Sequence, residues 1–154
     1  MLIDTLIDQY RVFGNPIHHS KSPNIHSAFA AATHQQLNYQ AQLVAEEAFE
    51  DTVTQFFAAG GKGLNITVPF KQRAVAIAQV LSPAATKAGA ANTLYLNAQG
   101  QLVADNTDGT GLVRDICHNL EGQLSAKRIL VLGAGGAVRG VLQPILAQLP
   151  AQVV

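Results

Sequence analysis

Apolar residues recur along this chain at two spacings, one typical of strands and the other typical of helices. Short apolar runs predict strands at residues 10–14, 37–44, 62–67, 92–97, 101–105 and 128–132. Stretches with helical spacing predict helices at residues 22–32, 46–59, 70–81 and 109–120, and another that begins in the turn at 133–137. The short link at 98–100 predicts a hairpin. Strands that alternate with helices predict an α/β fold with a largely parallel sheet.

Two of the predicted helices have recognisable starts and faces. Ser22 is expected to cap the first helix, and Pro23 suits its first turn because the missing N–H would be unpaired there anyway. The apolar residues of this helix have the spacing of one face: Ile25, Ala28, Phe29 and Ala32. The next helix starts with Glu46 and Glu47, where negative charge is favourable. Its own apolar face is formed by Phe49, Val53, Phe56 and Phe57.

The composition is that of a folded globular chain. Of 154 residues, 48% are apolar and only 13% are charged, whereas disordered chains have few apolar residues and many uncompensated charges. Ten basic and ten acidic residues give a formal net charge of zero. That balance argues against a nucleic acid or an anionic membrane surface as the main partner.

The sequence carries no pattern of a targeting segment or a metal site. Acidic residues near the start, Asp4 and Asp8, stand where a signal peptide needs a basic region. No apolar run reaches the roughly 18 residues that a membrane span needs. Cys117 is the only cysteine, which excludes an internal disulfide and fits a reducing cytoplasm. The five histidines lack the spacing of metal ligands. We therefore expect a cytoplasmic protein without a metal.

A glycine-rich turn follows the predicted strand at 128–132 and consists of Gly133, Ala134, Gly135, Gly136 and Ala137. Glycines in such a turn let backbone N–H groups approach a pyrophosphate at a helix N-terminus. The dinucleotide pattern is incomplete because Val138 stands at its third glycine position, and a tight turn without a ligand is the alternative. The residue that separates NAD from NADP lies about 20 positions after the first glycine. That position is near residue 153, so these residues do not reveal the preference.

Four polar clusters stand at predicted strand–helix junctions, where ligands of open α/β sheets usually bind. They lie at residues 19–22, 65–71, 92–93 and 105–109. The hydroxyls of Ser20 and Ser22 suit a carboxylate, unless Ser22 serves only as a helix cap. Asn65 and Thr67 alternate with apolar residues and face one side. Lys71 and Asp108 each also have an ordinary interpretation, as a surface lysine and a helix cap.

Taken together, these segments resemble those of the shikimate dehydrogenase family in order and spacing, from about residue 10 to the end. The most specific phrases are residues 12–23, 60–71, 89–93, 106–109 and 133–137. The resemblance implies NADP-linked, reversible reduction of 3-dehydroshikimate to shikimate. It further implies substrate binding by Ser20, Ser22, Asn65, Thr67, Lys71, Asn92 and Asp108. Lys71 and Asp108 would form the catalytic pair, and residues 133–137 would bind the cofactor.

The resemblance also implies a division of the chain. Residues 1–106 would form an N-terminal α/β/α substrate domain, and residues 107–154 a linker helix with the first βα unit of a Rossmann-type dinucleotide-binding domain. The chain would thus correspond to the N-terminal half of such an enzyme. Two other hypotheses remain open: a substrate-binding module without turnover, and a regulatory protein built on the same domain. The expected partner is a small-molecule substrate, and the choice between monomer and homodimer is open.

Overall fold

The computed structural model describes residues 7–154. The predictions drawn from the acidic start of the chain lie mostly outside this range. Among the described residues, no helix combines the length and the apolar character needed to cross a membrane. The strands are β1 Asp8–Gly14, β2 Leu37–Leu43, β3 Gly63–Ile66, β4 Val80–Leu81, β5 Thr93–Leu96, β6 Leu102–Asp105, β7 Arg128–Ile129 and β8 Gln152–Val153. The α-helices are α1 Ser22–Ala32, α2 Phe49–Ala58, α3 Lys71–Ile77, α4 Pro83–Ala88, α5 Asp108–Arg114 and α6 Gly136–Leu146.

Six strands form one mixed sheet in the order β2-β1-β3-β5-β6-β4. Strand β1 pairs in parallel with β2 and β3, and β4 pairs in parallel with β6. The predicted hairpin of β5 and β6 is confirmed, and it makes the β3–β5 and β5–β6 pairings antiparallel. The predicted α/β fold is therefore confirmed, but the sheet is less uniformly parallel than expected because a hairpin needs no crossover helix.

The main core lies between this sheet and the helices α2, α3 and α4. Its largest fully buried side chains are Phe13, Phe49, Val53, Ile66, Phe70 and Leu94. The predicted apolar face of α2 is confirmed, since Phe49, Val53 and Phe56 are buried. On the other side of the sheet, a small second cluster contains Val12, Ile17 and Tyr39.

The predicted apolar face of α1 is wrong. Ile25 and Phe29 are 47% and 60% exposed, and Ala30 is the buried residue of this helix. The helix instead turns His26 toward the sheet, where the imidazole stacks on Tyr39 with ring centroids 4.1 Å apart. The predicted cap is also wrong, because Ser22 is already helical and Ser20 Oγ accepts a hydrogen bond from its N–H. Pro23 does lie in the first turn, as predicted.

The predicted helix at 70–81 is too long. Helix α3 ends at Ile77, Ala78 is extended, and Val80–Leu81 pairs with β6 as the edge strand β4. Helix α4 follows, with Ser82 Oγ accepting a hydrogen bond from Ala85 N–H. The alanine-rich sequence hides this break because alanine suits both faces of a helix and carries no periodic signal.

The last part of the chain contains a separate two-stranded parallel sheet, β7 and β8, with α6 between its strands. The apolar end of the chain thus forms a strand. The predicted helix at 109–120 is confirmed in place, but it consists of α5 followed by a π-helical turn at Asp115–Asn119. The large sheet ends at Asp105, and the division of the chain at residue 106 stays a prediction.

Candidate active site

A cleft of about 240 Å³ brings together side chains from most of the predicted polar clusters. Six of the predicted substrate residues line it: Ser22, Asn65, Thr67, Lys71, Asn92 and Asp108. Val12, His26 and Ile66 complete the wall. Ser20 is not in the wall and contacts the site through its hydrogen bond to the N–H of Ser22, with Oγ 3.3 Å from the nitrogen. Residues up to 86 positions apart in sequence therefore form one polar site, from Ser22 to Asp108.

An ion pair between Lys71 and Asp108 forms the charged centre of the cleft. Lys71 is the first residue of α3 and Asp108 the first residue of α5, so both project from helix starts. Lys71 Nζ donates to Asp108 Oδ2, and the two side chains are only 13% and 23% exposed. Asn92 Nδ2 donates to the other oxygen, Asp108 Oδ1, at 2.8 Å. The carboxylate is thereby fixed at both oxygens, and its ion pair in turn orients the Lys71 ammonium group.

The start of α3 is anchored to the core directly beside Lys71. Phe70 is fully buried and stacks on Phe49, with ring centroids 4.5 Å apart. Arg73 lies over both rings and forms an ion pair with Glu50 of α2. Hydrogen bonding by the Arg73 guanidinium lowers the pKa of the Glu50 carboxyl. The backbone of Lys71 is therefore anchored to the core through its neighbours Phe70 and Arg73.

The amide of Asn65 is oriented by a buried tyrosine. Tyr39 Oη donates to Asn65 Oδ1 at 2.6 Å, and Asn65 Nδ2 donates to the Asn92 carbonyl oxygen at 3.2 Å. Burial raises the pKa of Tyr39 to about 12, so its hydroxyl is a hydrogen-bond donor at neutral pH. The stacked ring of His26 covers Tyr39, and burial lowers the pKa of His26.

Asn106 was not singled out within its cluster, yet apart from Tyr39 it is the one buried residue with a polar side chain among those the structure describes. Its Nδ2 donates to the Ala90 carbonyl oxygen at 2.8 Å, and its Oδ1 accepts from the Asp108 N–H at 3.1 Å. It therefore fixes the backbone from which Asp108 projects. Tyr39 and His26 were also missed as site residues, since neither belongs to a polar cluster in the sequence.

The predicted glycine turn lies opposite Lys71. A second cleft of about 290 Å³ is lined by Thr67, Val68, Pro69, Lys71, Gln72, Gly136 and Ala137. Gly133 has φ +115°, which favours glycine, and α6 begins immediately after Gly135. A Cβ at Gly135 would meet no atom within 4 Å, so the outer side of the turn is open. An open turn before an 11-residue helix fits the phosphates of a dinucleotide.

More than half of the chain matches a known protein family. The family described as shikimate dehydrogenase substrate binding domain matches residues 12–94, which is more than half of the chain. The chain belongs to this family. The matched residues include the end of β1, all of α1 and β3, and the start of β5. They therefore contain Ser22, Asn65, Thr67, Lys71 and Asn92 of the cleft.

Curated shikimate dehydrogenases are close in sequence. The chain is 57% identical over 149 residues to shikimate dehydrogenase (NADP(+)) of Cellvibrio japonicus, covering 97% of this chain and 54% of that protein. It is 58% identical over 147 residues to shikimate dehydrogenase (NADP(+)) of Marinobacter nauticus, covering 96% and 54%. The chain thus spans about half the length of the curated relatives it matches.

Two solved structures, one of them a shikimate 5-dehydrogenase, share the fold. The shikimate 5-dehydrogenase of Thermus thermophilus, solved with NADP(H) and shikimate, superposes with a TM-score of 0.85 at 29% identity over 95% of this chain and 55% of that one. An Ael1 enzyme from Pseudomonas putida superposes with a TM-score of 0.88 at 51% identity over 95% and 54%.

Proposed function

We propose that this chain carries the substrate site of a shikimate dehydrogenase and serves the NADPH-dependent, reversible reduction of 3-dehydroshikimate to shikimate. One observation carries the proposal. The Lys71–Asp108 pair, flanked by hydroxyl and amide side chains, lies in a cleft beside an open glycine turn. The names of the curated relatives support the same activity.

The chemistry of ketone reduction suits this centre. A hydride added to the carbonyl carbon leaves negative charge on the carbonyl oxygen, and a positioned cation stabilises that charge. Lys71 would face this oxygen and pass one Nζ proton to it, which gives the alcohol. Asp108 would keep Lys71 in place and accept a hydrogen bond from a neighbouring ring hydroxyl. In the oxidation direction, Lys71 would take the proton back.

The remaining polar residues would bind the rest of the ring. The hydroxyls of Ser22 and Thr67 line the cleft, and with Ser20 we assign them to the substrate carboxylate. The amides of Asn65 and Asn92 would pair with ring hydroxyls. Neutral donors suffice for a carboxylate when several of them converge on it.

We propose NADP as the cofactor, bound by the turn of Gly133, Ala134, Gly135, Gly136 and Ala137. When bound, it supplies the hydride for the reduction. The choice of NADP over NAD is supported by the curated relatives, which are named for NADP(+). Small-molecule partners and a cytoplasmic location belong to the same proposal.

The test is an assay of NADPH oxidation with 3-dehydroshikimate, together with a shikimate titration. We expect Lys71→Ala to lower kcat by about a hundredfold to ten-thousandfold, because it removes the proton donor, and to weaken shikimate binding much less. Lys127→Ala, which changes an exposed lysine, is the matched control and should behave like the parent.

Each alternative result has a separate meaning. Equal kcat values in Lys71→Ala and the parent would contradict the role of Lys71. Saturable shikimate binding without any turnover would favour a binding module. A parent that neither binds shikimate nor oxidises NADPH would contradict the proposed function.

A further inference from the structure

Helix α6 presents two glycines to the candidate active site. Gly136 and Gly140 are four positions apart and so share one face of the helix, and Pro144 follows one turn later. Neither glycine has a positive φ. Glycine is therefore needed at these positions because neighbouring atoms leave little room for a Cβ, and not because the backbone has a positive φ.

Gly136 is in close contact with the stem of Lys71. A Cβ at position 136 would lie 3.3 Å from Lys71 Cβ, 3.6 Å from Lys71 Cδ and 3.9 Å from Ala90 Cβ. The first distance is tighter than ordinary carbon contact, so the lysine stem would have to move. Because Lys71 Nζ is paired with Asp108, we expect a shift of a few tenths of an ångström in the stem to alter the geometry of the ion pair.

Gly140 contacts the residue that holds the backbone of Asp108. A Cβ at position 140 would lie 2.8 Å from Asn106 Oδ1 and 2.9 Å from Asn106 Nδ2. Both ends of this amide are already in use, on the Ala90 carbonyl and on the Asp108 N–H. The buried amide therefore cannot move away without weakening one of these hydrogen bonds.

The same face of α6 lets α5 approach closely. A Cβ at Gly109, the residue after Asp108, would lie 2.4 Å from Pro144 Cγ and 2.5 Å from the Gly140 carbonyl oxygen. The start of α5 is thus in direct contact with the backbone of α6. Both members of the Lys71–Asp108 pair are supported by one helix.

We propose that Gly136 and Gly140 are positioning residues for this pair, Gly136 through contact with the Lys71 stem and Gly140 through Asn106. The proposal rests on the proposed function, because it gives the two glycines a part in the same reaction. It separates them from Gly135, where an added Cβ would meet nothing within 4 Å. The helix that begins in the glycine turn thereby also sets the position of the catalytic lysine.

The test uses the 154-residue chain without nucleotide, so that any effect on cofactor binding is excluded. The variants are Gly136→Ala and Gly140→Ala. Gly111→Ala is the matched control, because Gly111 is exposed on α5 and a Cβ there would meet nothing within 4 Å. Three quantities are measured: the proton exchange rate of the Lys71 ammonium group by NMR, the affinity for shikimate, and the free energy of unfolding.

In both test variants we expect the Lys71 ammonium protons to exchange about tenfold faster and shikimate to bind about tenfold more weakly, as for a weakened charge-assisted hydrogen bond. Gly111→Ala should keep the parental exchange rate and affinity. Parental exchange and affinity in the folded glycine variants would overturn the proposal, even if the free energy of unfolding fell. If Gly140→Ala does not fold, Gly136→Ala decides alone, since its added methyl group would approach Lys71 Cβ to 3.3 Å, a milder contact than the 2.8 Å approach to Asn106 Oδ1 at position 140.

The readouts also separate this proposal from the proposed function. A parent chain that does not bind shikimate would contradict the proposed function. The exchange rate of the Lys71 ammonium group in ligand-free protein would still decide whether the two glycines position that lysine.

Discussion

At the scale of single residues, the site depends on side chains that orient one another through hydrogen bonds. Asp108 receives hydrogen bonds from Lys71 and Asn92 on its carboxylate and donates its N–H to Asn106. Asn65 is held by Tyr39. Such orientation matters because a reactive group that is free to rotate loses much of its effect.

Tyr39 offers a direct test of orientation. Tyr39→Phe keeps the ring but removes the hydroxyl that donates to Asn65 Oδ1. Loss of one buried hydrogen bond of about 1 kcal/mol corresponds to about fivefold weaker shikimate binding. Tyr95→Phe is the control, because Tyr95 is 40% exposed on β5. Equal affinities for the two variants, measured by calorimetric titration, would contradict the orienting role of Tyr39.

The burial of His26 predicts that the free energy of unfolding depends on pH. Burial lowers its pKa in the folded state, so the unfolded chain binds a proton at higher pH than the folded chain. The free energy of unfolding should therefore fall as the pH drops below the ordinary histidine value of about 6.5. His26→Phe retains a ring beside Tyr39 and should flatten this slope, measured by urea unfolding between about pH 5 and pH 8. An unchanged slope would show that His26 does not contribute.

At the scale of elements, the position of Lys71 depends on how α3 is anchored. Phe70 is fully buried against Phe49, whereas Phe29 of α1 is 60% exposed. We expect Phe70→Ala to lower the free energy of unfolding by about 3–5 kcal/mol, because it leaves a cavity in the core. Phe29→Ala should change it by less than about 0.5 kcal/mol. Chemical denaturation measures both values, and similar decreases in the free energy of unfolding for Phe70→Ala and Phe29→Ala would contradict this description of the core.

Local sequence signals predicted elements well where polar and apolar residues alternate clearly. The face of α2 and the β5–β6 hairpin follow directly from their patterns. Strand β4 was missed because Val80–Leu81 continues an alanine-rich run without a periodic break, although Ser82 and Pro83 repeat the helix-start signal of residues 22–23. The inward side of α1 was missed because it consists of small and polar residues around His26.

The sequence predicted the polar clusters of the candidate site, but it did not predict the residues that orient them. Three of the predicted clusters end a strand or start a helix, and residues 92–93 stand at the start of β5. The antiparallel pairing of β5 with β3 and β6 brings Asn65, Asn92 and Asp108 into one cleft. Tyr39 contacts Asn65, which is 26 positions away in the sequence, and Asn106 contacts Ala90, which is 16 positions away. No local pattern marks such pairs, since they depend on the register of distant strands.

At the scale of the whole molecule, helix α6 connects the small sheet to the candidate active site. The six-stranded sheet and its helices carry the residues that we propose for substrate binding, and α6, which links the strands of the small sheet, contacts Lys71 and Asn106. We therefore expect a ring that carries a carboxylate and hydroxyls to bind between Ser22, Lys71 and Asp108.

An NMR titration of the 154-residue chain with shikimate tests this binding mode. We predict saturable shifts of the side-chain signals of Lys71, Asn65 and Asn92. Asp108→Asn should weaken binding by about tenfold, since it removes the charge that holds Lys71, and Asp115→Asn, at an exposed aspartate, should not. Shifts confined to residues outside the cleft, or equal affinities for these two variants, would contradict the account.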